Sequence, residues 1–197
     1  TARSHGDYNI AIGASALNVN TGAGNIAIGY QSFFANTTPN QNTGVGYQTG
    51  YNNTSGTDNT YIGYLAGFAN QTTNENVFVG SLVGRFNTAA YNTAVGAYAF
   101  YANTSGARNS AFGDGALSAN TSGAYNAAFG MGALQFNTTA SQNTAVGYQA
   151  LYSNQTQNGT TAVGYQAGRA YVASEPMHGS SFFGNLAAVS VTSGVEN

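Results

Sequence analysis

The stretch Asn143-Thr144-Ala145-Val146-Gly147-Tyr148-Gln149-Ala150-Leu151-Tyr152 sets the pattern for nearly the whole chain. Its opening phrase, N-x-A-x-G or a near relative, recurs at Asn9, Asn25, Asn42, Asn59, Asn76, Asn92, Asn109 and Asn126, every 16 or 17 residues. A glycine follows each asparagine four residues later: Gly13, Gly29, Gly46, Gly63, Gly80, Gly96, Gly113, Gly130 and Gly147. The glycine column continues at Gly164 and, more loosely, at Gly184. A fixed period this short makes each unit one coil of a stacked array rather than a domain. Within the coil, Asn143 to Gly147 alternates polar with small or apolar residues, the period-2 signature of a short strand. Tyr148 to Tyr152 reads as a second strand, and Ser153 to Gly159 as a turn by composition.

The columns indicate which side chains point inward. Before each glycine stands an aliphatic or aromatic residue (Ile12, Ile28, Val45, Ile62, Val79, Val95, Phe112, Phe129, Val146, Val163), which reads as the buried column. Small residues recur at Ala11, Ala27, Gly44, Ala94, Ala111, Ala128, Ala145 and Ala162, interrupted by Tyr61 and Phe78. A second small column, Ala66, Ala99, Ala116, Ala133, Ala150 and Ala167 among others, follows the glycine. Small side chains on both sides predict a flat, narrow coil. A second asparagine column sits seven residues after the glycine, at Asn20, Asn36, Asn53, Asn70, Asn87, Asn103, Asn120, Asn137 and Asn154. Rungs of a parallel stack lie ~4.8 Å apart, close enough for amide side chains to hydrogen-bond up each column.

Composition bounds what such an array can do. Only 5% of the 197 residues are charged and the formal net charge is −2, which leaves no electrostatic footprint for nucleic acid or an anionic membrane. At 42% hydrophobic residues, with 14 tyrosines and 11 phenylalanines, the chain is nonetheless expected to pack rather than remain disordered. It has no cysteine, hence no disulfide framework or thiolate metal site, and no apolar run near the ~20 residues that span a bilayer. The chain opens on Thr1, as a processed protein or a piece of a longer one would. Residues 1–8 read as an N-terminal cap or connection, 9–170 as the repeat domain, and 171–197 as an irregular C-terminal cap in which Ser181-Phe182-Phe183-Gly184 forms one last imperfect rung.

The repeated phrase, best seen in Asn143 to Gly147 and in Asn25-Ile26-Ala27-Ile28-Gly29, resembles the repeat of trimeric autotransporter adhesin heads. Over Asn143 to Leu151 it is equally similar to the N-T-A-V-G-Y-x-A-L arrays of phage tail-fibre proteins. The resemblance implies a left-handed parallel β-roll, three chains side by side, and binding through outer faces. Adhesin heads use shorter coils, and neither a heptad stalk nor a membrane-anchoring barrel appears in these residues. The expected fold is therefore all-β: a parallel β-solenoid of about ten to eleven coils of 16–17 residues, packed as a side-by-side homotrimer.

Few residues suggest chemistry. Asp58 and Glu75 occupy one column in successive coils, where a carboxylate pair would offer a weak cation site or, at that spacing, a glycosidase dyad. A solvated loop pair is the simpler reading, because the column supplies no further acid. His5 and His178 have no partner at zinc-ligand spacing, no G-x-S-x-G nucleophile elbow is present, and the glycines follow the repeat rather than a phosphate loop. No enzyme activity, cofactor or metal is expected. Tyr30, Tyr47 and Tyr64, with Tyr148 and Tyr165, form ladders suited to a sugar platform or to packing. Asn36, Asn53, Asn70, Asn103, Asn120, Asn137 and Asn154 open N-x-[ST] sequons, although Asn and Thr also recur there for corner packing.

The expected function is a non-catalytic extracellular fibre module, on a cell surface or a virion, that adheres or supports adhesion. Its partners are other copies of itself, side by side or end to end, and a host surface or glycan receptor met at irregular corners and ends. The alternative is the shaft or receptor-contact segment of a phage tail fibre. A self-assembled matrix filament and an ice-binding solenoid rank lower. The threonine column that ice binding needs is interrupted at Gln71 and Gln155.

Overall fold

The computed structural model of the chain describes residues 7–171 and 179–190. Residues 1–6 of the N-terminal cap, including His5, and the stretch with Glu175, Pro176 and His178 lie outside them. Eleven three-residue strands form a single parallel sheet in chain order: β1 (Ile10–Ile12), β2 (Ile26–Ile28), β3 (Thr43–Val45), β4 (Thr60–Ile62), β5 (Val77–Val79), β6 (Thr93–Val95), β7 (Ser110–Phe112), β8 (Ala127–Phe129), β9 (Thr144–Val146), β10 (Thr161–Val163) and β11 (Ser181–Phe183). The architecture is an all-β parallel solenoid of about ten turns. Like positions pair from coil to coil, Ala11 with Ala27 and Ala145 with Ala162. The same register carries Ser181 onto Thr161, so the imperfect last phrase forms a true rung.

Each coil contains one strand, not two. The segment expected as the second strand is a run of turns in which the second and fourth residues after the column glycine have positive φ, as at Gln149 (50°) and Leu151 (49°). It is still bonded to both neighbouring coils. The Gln149 N–H donates to the Met131 carbonyl below (2.9 Å), and the Leu151 N–H donates to the Ala167 carbonyl above (2.9 Å). This alternating backbone turns two adjacent side chains inward, Ala150 and Leu151, where a strand would turn in one.

The buried column also differs from expectation. A three-residue strand with its centre facing in must hold both flanking residues out. The buried residues are accordingly Ala27, Ala94, Ala111, Ala128, Ala145 and Ala162 at the strand centres. The aliphatic column before the glycine lies on the outer face, with Ile12 58% exposed and Phe129 41% exposed. The interior is narrow because alanines on the strand side meet Ala99, Ala116, Ala133, Ala150 and Ala167 on the turn side, with Leu117, Leu134 and Leu151 filling the remaining width.

Core volume is conserved by exchange between the two sides. Gly50, Gly67, Gly84 and Gly168 stand where other coils carry that leucine or phenylalanine. A Cβ at Gly67 would meet the Tyr61 ring at 2.8 Å, one at Gly84 the Phe78 ring at 2.5 Å, and one at Gly168 the Phe182 ring at 2.7 Å. Tyr61, Phe78 and Phe182 are the strand-centre residues that replace alanine, and all three are buried. Burial pushes the Tyr61 phenol far above its ordinary pKa, so it stays neutral and accepts a hydrogen bond from Asn70.

The column glycines are held by approach of the next coil. Gly96 has φ +133°, and a Cβ there would lie 2.5 Å from the Gly113 carbonyl oxygen. Gly184, at the end of the stack, has φ +117° and nothing within 4 Å of the same point. Comparing the two separates backbone strain from inter-coil collision. Gly96→Ala is expected to cost about 3 kcal/mol or more in chemical denaturation, as a backbone clash in a packed interior does, and Gly184→Ala about 1 kcal/mol from φ alone. Equal losses at both sites would show that the close approach does not govern the column. In the core, Phe78→Ala should destabilise by about 3–5 kcal/mol and Gly84→Leu should also destabilise, whereas the double variant recovers much of the loss. Simple additivity of the two single losses would refute volume exchange.

Candidate functional site

The lead asparagines, Asn9 to Asn143, are scaffold. Each side-chain Oδ1 accepts the backbone N–H of the equivalent residue one coil on: Asn25 N–H to Asn9 (2.7 Å), Asn59 N–H to Asn42 (2.9 Å), Asn109 N–H to Asn92 (2.9 Å), and finally Thr160 N–H to Asn143 (2.8 Å). The Nδ2 of most of them donates to a corner carbonyl, as from Asn42 to Gly56 (2.8 Å) and from Asn109 to Gly123 (2.9 Å). The side chain thus bonds chiefly to backbone, with longer amide-to-amide bonds beside these, as from Asn76 to Asn59 (3.2 Å) and from Asn126 to Asn109 (3.1 Å). Amide-to-amide bonding is shorter in the second column, where Asn36 donates to Asn20, Asn103 to Asn87, Asn120 to Asn103 and Asn137 to Asn120 at 2.7–2.8 Å. That ladder is interrupted at Asn70, whose Nδ2 turns to Tyr61.

Both asparagine columns are buried, apart from the half-buried Asn9 at the head of the stack. The sequon amides at Asn36, Asn53, Asn70, Asn103, Asn120, Asn137 and Asn154 are therefore enclosed in the folded coil and offer no surface to a modifying group. Length variation falls outside the columns. The 16-residue spacings arise where four residues rather than five separate the two asparagines of a corner, at Asn20–Asn25 and Asn87–Asn92.

The aromatic ladders use their ring faces on each other. Tyr30, Tyr47 and Tyr64 stack with centroids 5.3 and 5.5 Å apart, Phe34, Tyr51 and Phe68 at 5.1 and 5.3 Å, and Tyr148 with Tyr165 at 5.3 Å. Within each ladder the faces between rings are covered by the neighbouring ring, and the edges and hydroxyls face water. The corner threonines are committed in the same way: the Thr37, Thr104 and Thr121 hydroxyls donate to the carbonyl of the next coil at 2.8, 3.0 and 2.9 Å. An ice-binding face needs hydroxyls in a regular free array, which this column does not present.

Asp58 and Glu75 occupy consecutive corner positions, both with positive φ (59° and 58°) and both exposed. The Asp58 carboxylate accepts from the Thr57 hydroxyl (2.9 Å). Farther along the column, Arg108 lies over the rings of Tyr91 (5.0 Å) and Tyr125 (5.7 Å) and donates to the Tyr125 hydroxyl (3.1 Å). Among the described residues no group of three or more His, Cys, Asp or Glu could hold a metal ion. Among them, too, no helix is long and apolar enough to cross a membrane.

A further exposed surface is the outer face of the sheet. Every residue of its pre-glycine column is apolar, from Ile12 through Phe112 and Phe129 to Phe183, and none is buried. Phe112 and Phe129 stack at 5.0 Å with planes 5° apart. The flanking column adds Ile10 and Val77, each at least one-third exposed. Monomeric proteins rarely leave a continuous apolar patch larger than a few hundred Å². Sequence reasoning placed this column inside and so missed the face. The short strand and the alanine at its centre were the signals for it.

In comparisons with protein-family models, curated proteins and solved structures, no match to this chain was found.

Calcium requires six to eight oxygen ligands, and two exposed carboxylates fall far short of that. Millimolar calcium is accordingly expected to move the melting temperature by less than about 1 °C, whereas a single tight site would raise it by several degrees. A saturable stabilisation lost in Asp58→Asn would restore the cation site.

Proposed function

We propose that the chain is a non-catalytic module of an extracellular fibre, a stiff β-solenoid that packs side by side with copies of itself and supports attachment to a surface. One observation carries this reading: the strand centres that face the interior are mostly alanine, while the isoleucines, valines and phenylalanines of the pre-glycine column lie on one outer strip. A coil with so thin an interior obtains little hydrophobic stabilisation alone. Covering the strip with another copy supplies what the single chain lacks.

Eleven rungs at ~4.8 Å make a strip roughly 48 Å long. Three rods with strand faces turned inward would bury it along its whole length, which agrees with the trimeric left-handed β-roll that the resemblance to adhesin heads implies. The turn faces and corners, whose side chains vary most from coil to coil, then point outward to meet a host surface or a glycan receptor. A phage tail-fibre shaft would use the same rod with different flanking segments.

Light scattering is expected to give about 60 kDa for a trimer of 20.1 kDa chains. The double variant Phe112→Glu, Phe129→Glu should fall to the monomer mass with its circular dichroism unchanged. A monomeric wild-type chain at micromolar concentration would overturn the reading.

A further inference from the structure

One cleft breaks the regularity of the turn face. It has a volume of about 430 Å³ and is lined chiefly by Tyr98, Tyr101, Asp114, Gly115, Ser118 and Gln135. Its origin is legible in the columns. The second residue after the column glycine is Leu82, Tyr98, Gln149 and Gln166 in neighbouring coils, but Gly115 and Gly132 in two successive ones. Two missing side chains leave a gap, and Ser118 beside Gly115 is too small to close it.

The gap changes what the aromatic residues present. Tyr30, Tyr47 and Tyr148 are each stacked on the ring of the next coil, and the ladders end at Tyr64 and Tyr165. Tyr98 is 50% exposed, and the residue that would cover it is Gly115. Tyr98 and Tyr101 stand as one wall, ring centroids 5.8 Å apart and tilted 51° to each other. The Gln135 side chain lies opposite, its amide 3.6–3.8 Å from where a Cβ on Gly115 would be. The Gln135 Oε1 lies 3.1 Å from where a Cβ on Gly132 would be and 3.7 Å from that of Gly115, so its amide borders the space that the two glycines leave.

The polar groups fit the same occupant. Asp114 supplies carboxylate acceptors, Ser118 a hydroxyl that donates and accepts, and Gln135 an amide that does both. Among the described residues none of these three side chains is engaged in a hydrogen bond within the fold. A slot with apolar aromatic walls, a few convergent polar groups and a volume in the small-ligand range matches a sugar ring, which has apolar faces and a hydroxyl rim. The only charge in the lining is Asp114, which disfavours an anionic sugar.

We infer that the cleft between Tyr98, Tyr101 and Gln135 is a binding site for one neutral pyranose residue of a glycan. This deepens the adhesive reading by naming the ligand class and the face that takes it.

The test is saturation-transfer NMR and titration of the full chain with the methyl glycosides of glucose, galactose, mannose and N-acetylglucosamine, with methyl glucuronide as the anionic probe. At least one neutral glycoside is expected to bind with millimolar affinity and the glucuronide at least tenfold more weakly. Tyr98→Ala should weaken binding at least tenfold. Gly115→Gln provides a plug that leaves the fold intact: Gly115 has φ +66°, the coils two and three further on carry Gln149 and Gln166 at that column with φ 50° and 53°, and the added Cβ meets only ordinary contacts. It should abolish binding with the circular dichroism unchanged and with no more loss of stability than the roughly 1 kcal/mol that a side chain at positive φ costs.

No binding by any of the four neutral glycosides, or binding that survives both Gly115→Gln and Tyr98→Ala, overturns the site. A glucuronide that binds as tightly as the neutral sugars overturns the assignment of ligand charge. The two proposals fail separately. A trimer that binds no sugar rejects the cleft, and a monomer that binds sugar rejects the side-by-side fibre.

Discussion

The bond from a buried asparagine Oδ1 to the backbone N–H of the next coil is the constraint on which the stack depends. A chain that turns a corner before each short strand leaves one N–H with no strand partner. An unpaired buried donor costs about 1–3 kcal/mol, and here that cost would recur in every coil. The lead asparagine answers it with its carbonyl oxygen and uses its amide on the corner carbonyl of the following turn. The bond is reciprocal along the stack, because each asparagine that accepts from the coil above also has its own N–H held by the coil below. Stability therefore accumulates by nearest-neighbour contacts, as in other quasi-one-dimensional proteins. The last of these bonds goes to Thr160, which lacks the amide to pass the pattern on.

With the corner held, the glycine column sets how near one coil lies to the next. The same closeness makes alanine the usual strand-centre residue and leaves width for one larger side chain in most coils, while the coils of Gly44 with Gly50 and of Ala162 with Gly168 are filled by side chains of their neighbours. That larger residue need not come from a fixed position. Phe100, Leu117, Leu134 and Leu151 supply it from the turn side, whereas Tyr61, Phe78 and Phe182 supply it from the strand side opposite glycines. Volume is conserved while the pattern of letters changes.

Much of the fold was legible from the period alone. Spacing of Asn143 and its equivalents predicts a parallel stack, the coil length and the register of every strand, and β11 follows from Ser181-Phe182-Phe183-Gly184 despite its longer connection. What was not legible was direction. The alternation in Tyr148 to Tyr152 reads as a strand, yet positive φ at Gln149 and Leu151 makes it a chain of turns. Glutamine and leucine give no hint of a left-handed conformation. The scattered glycines in the same columns, Gly50, Gly67, Gly84, Gly115, Gly132 and Gly168, were the available signal, since glycine is the residue that takes positive φ without strain. The outward direction of Ile12 to Val163 was hidden for a related reason. An apolar residue is assigned to a core by default, and only the three-residue length of the strand shows that its centre, not its end, points in.

That reversal bears on where function resides. In a globular domain the apolar column would be spent on the interior, and departures from it would damage the fold. Here the interior is filled by alanine, glycine and asparagine with the few leucine and aromatic side chains named above, and the pre-glycine column takes no part in it. Regular apolar letters on the strand face suit contact with an identical rod, where every rung meets its equivalent. Irregular letters on the turn face suit contact with something that is not periodic. The cleft at Gly115 arises at such an irregularity, where two coils omit a side chain their neighbours carry and a tyrosine ring is left uncovered. The repeat builds the rod, and its exceptions are where recognition has room to form.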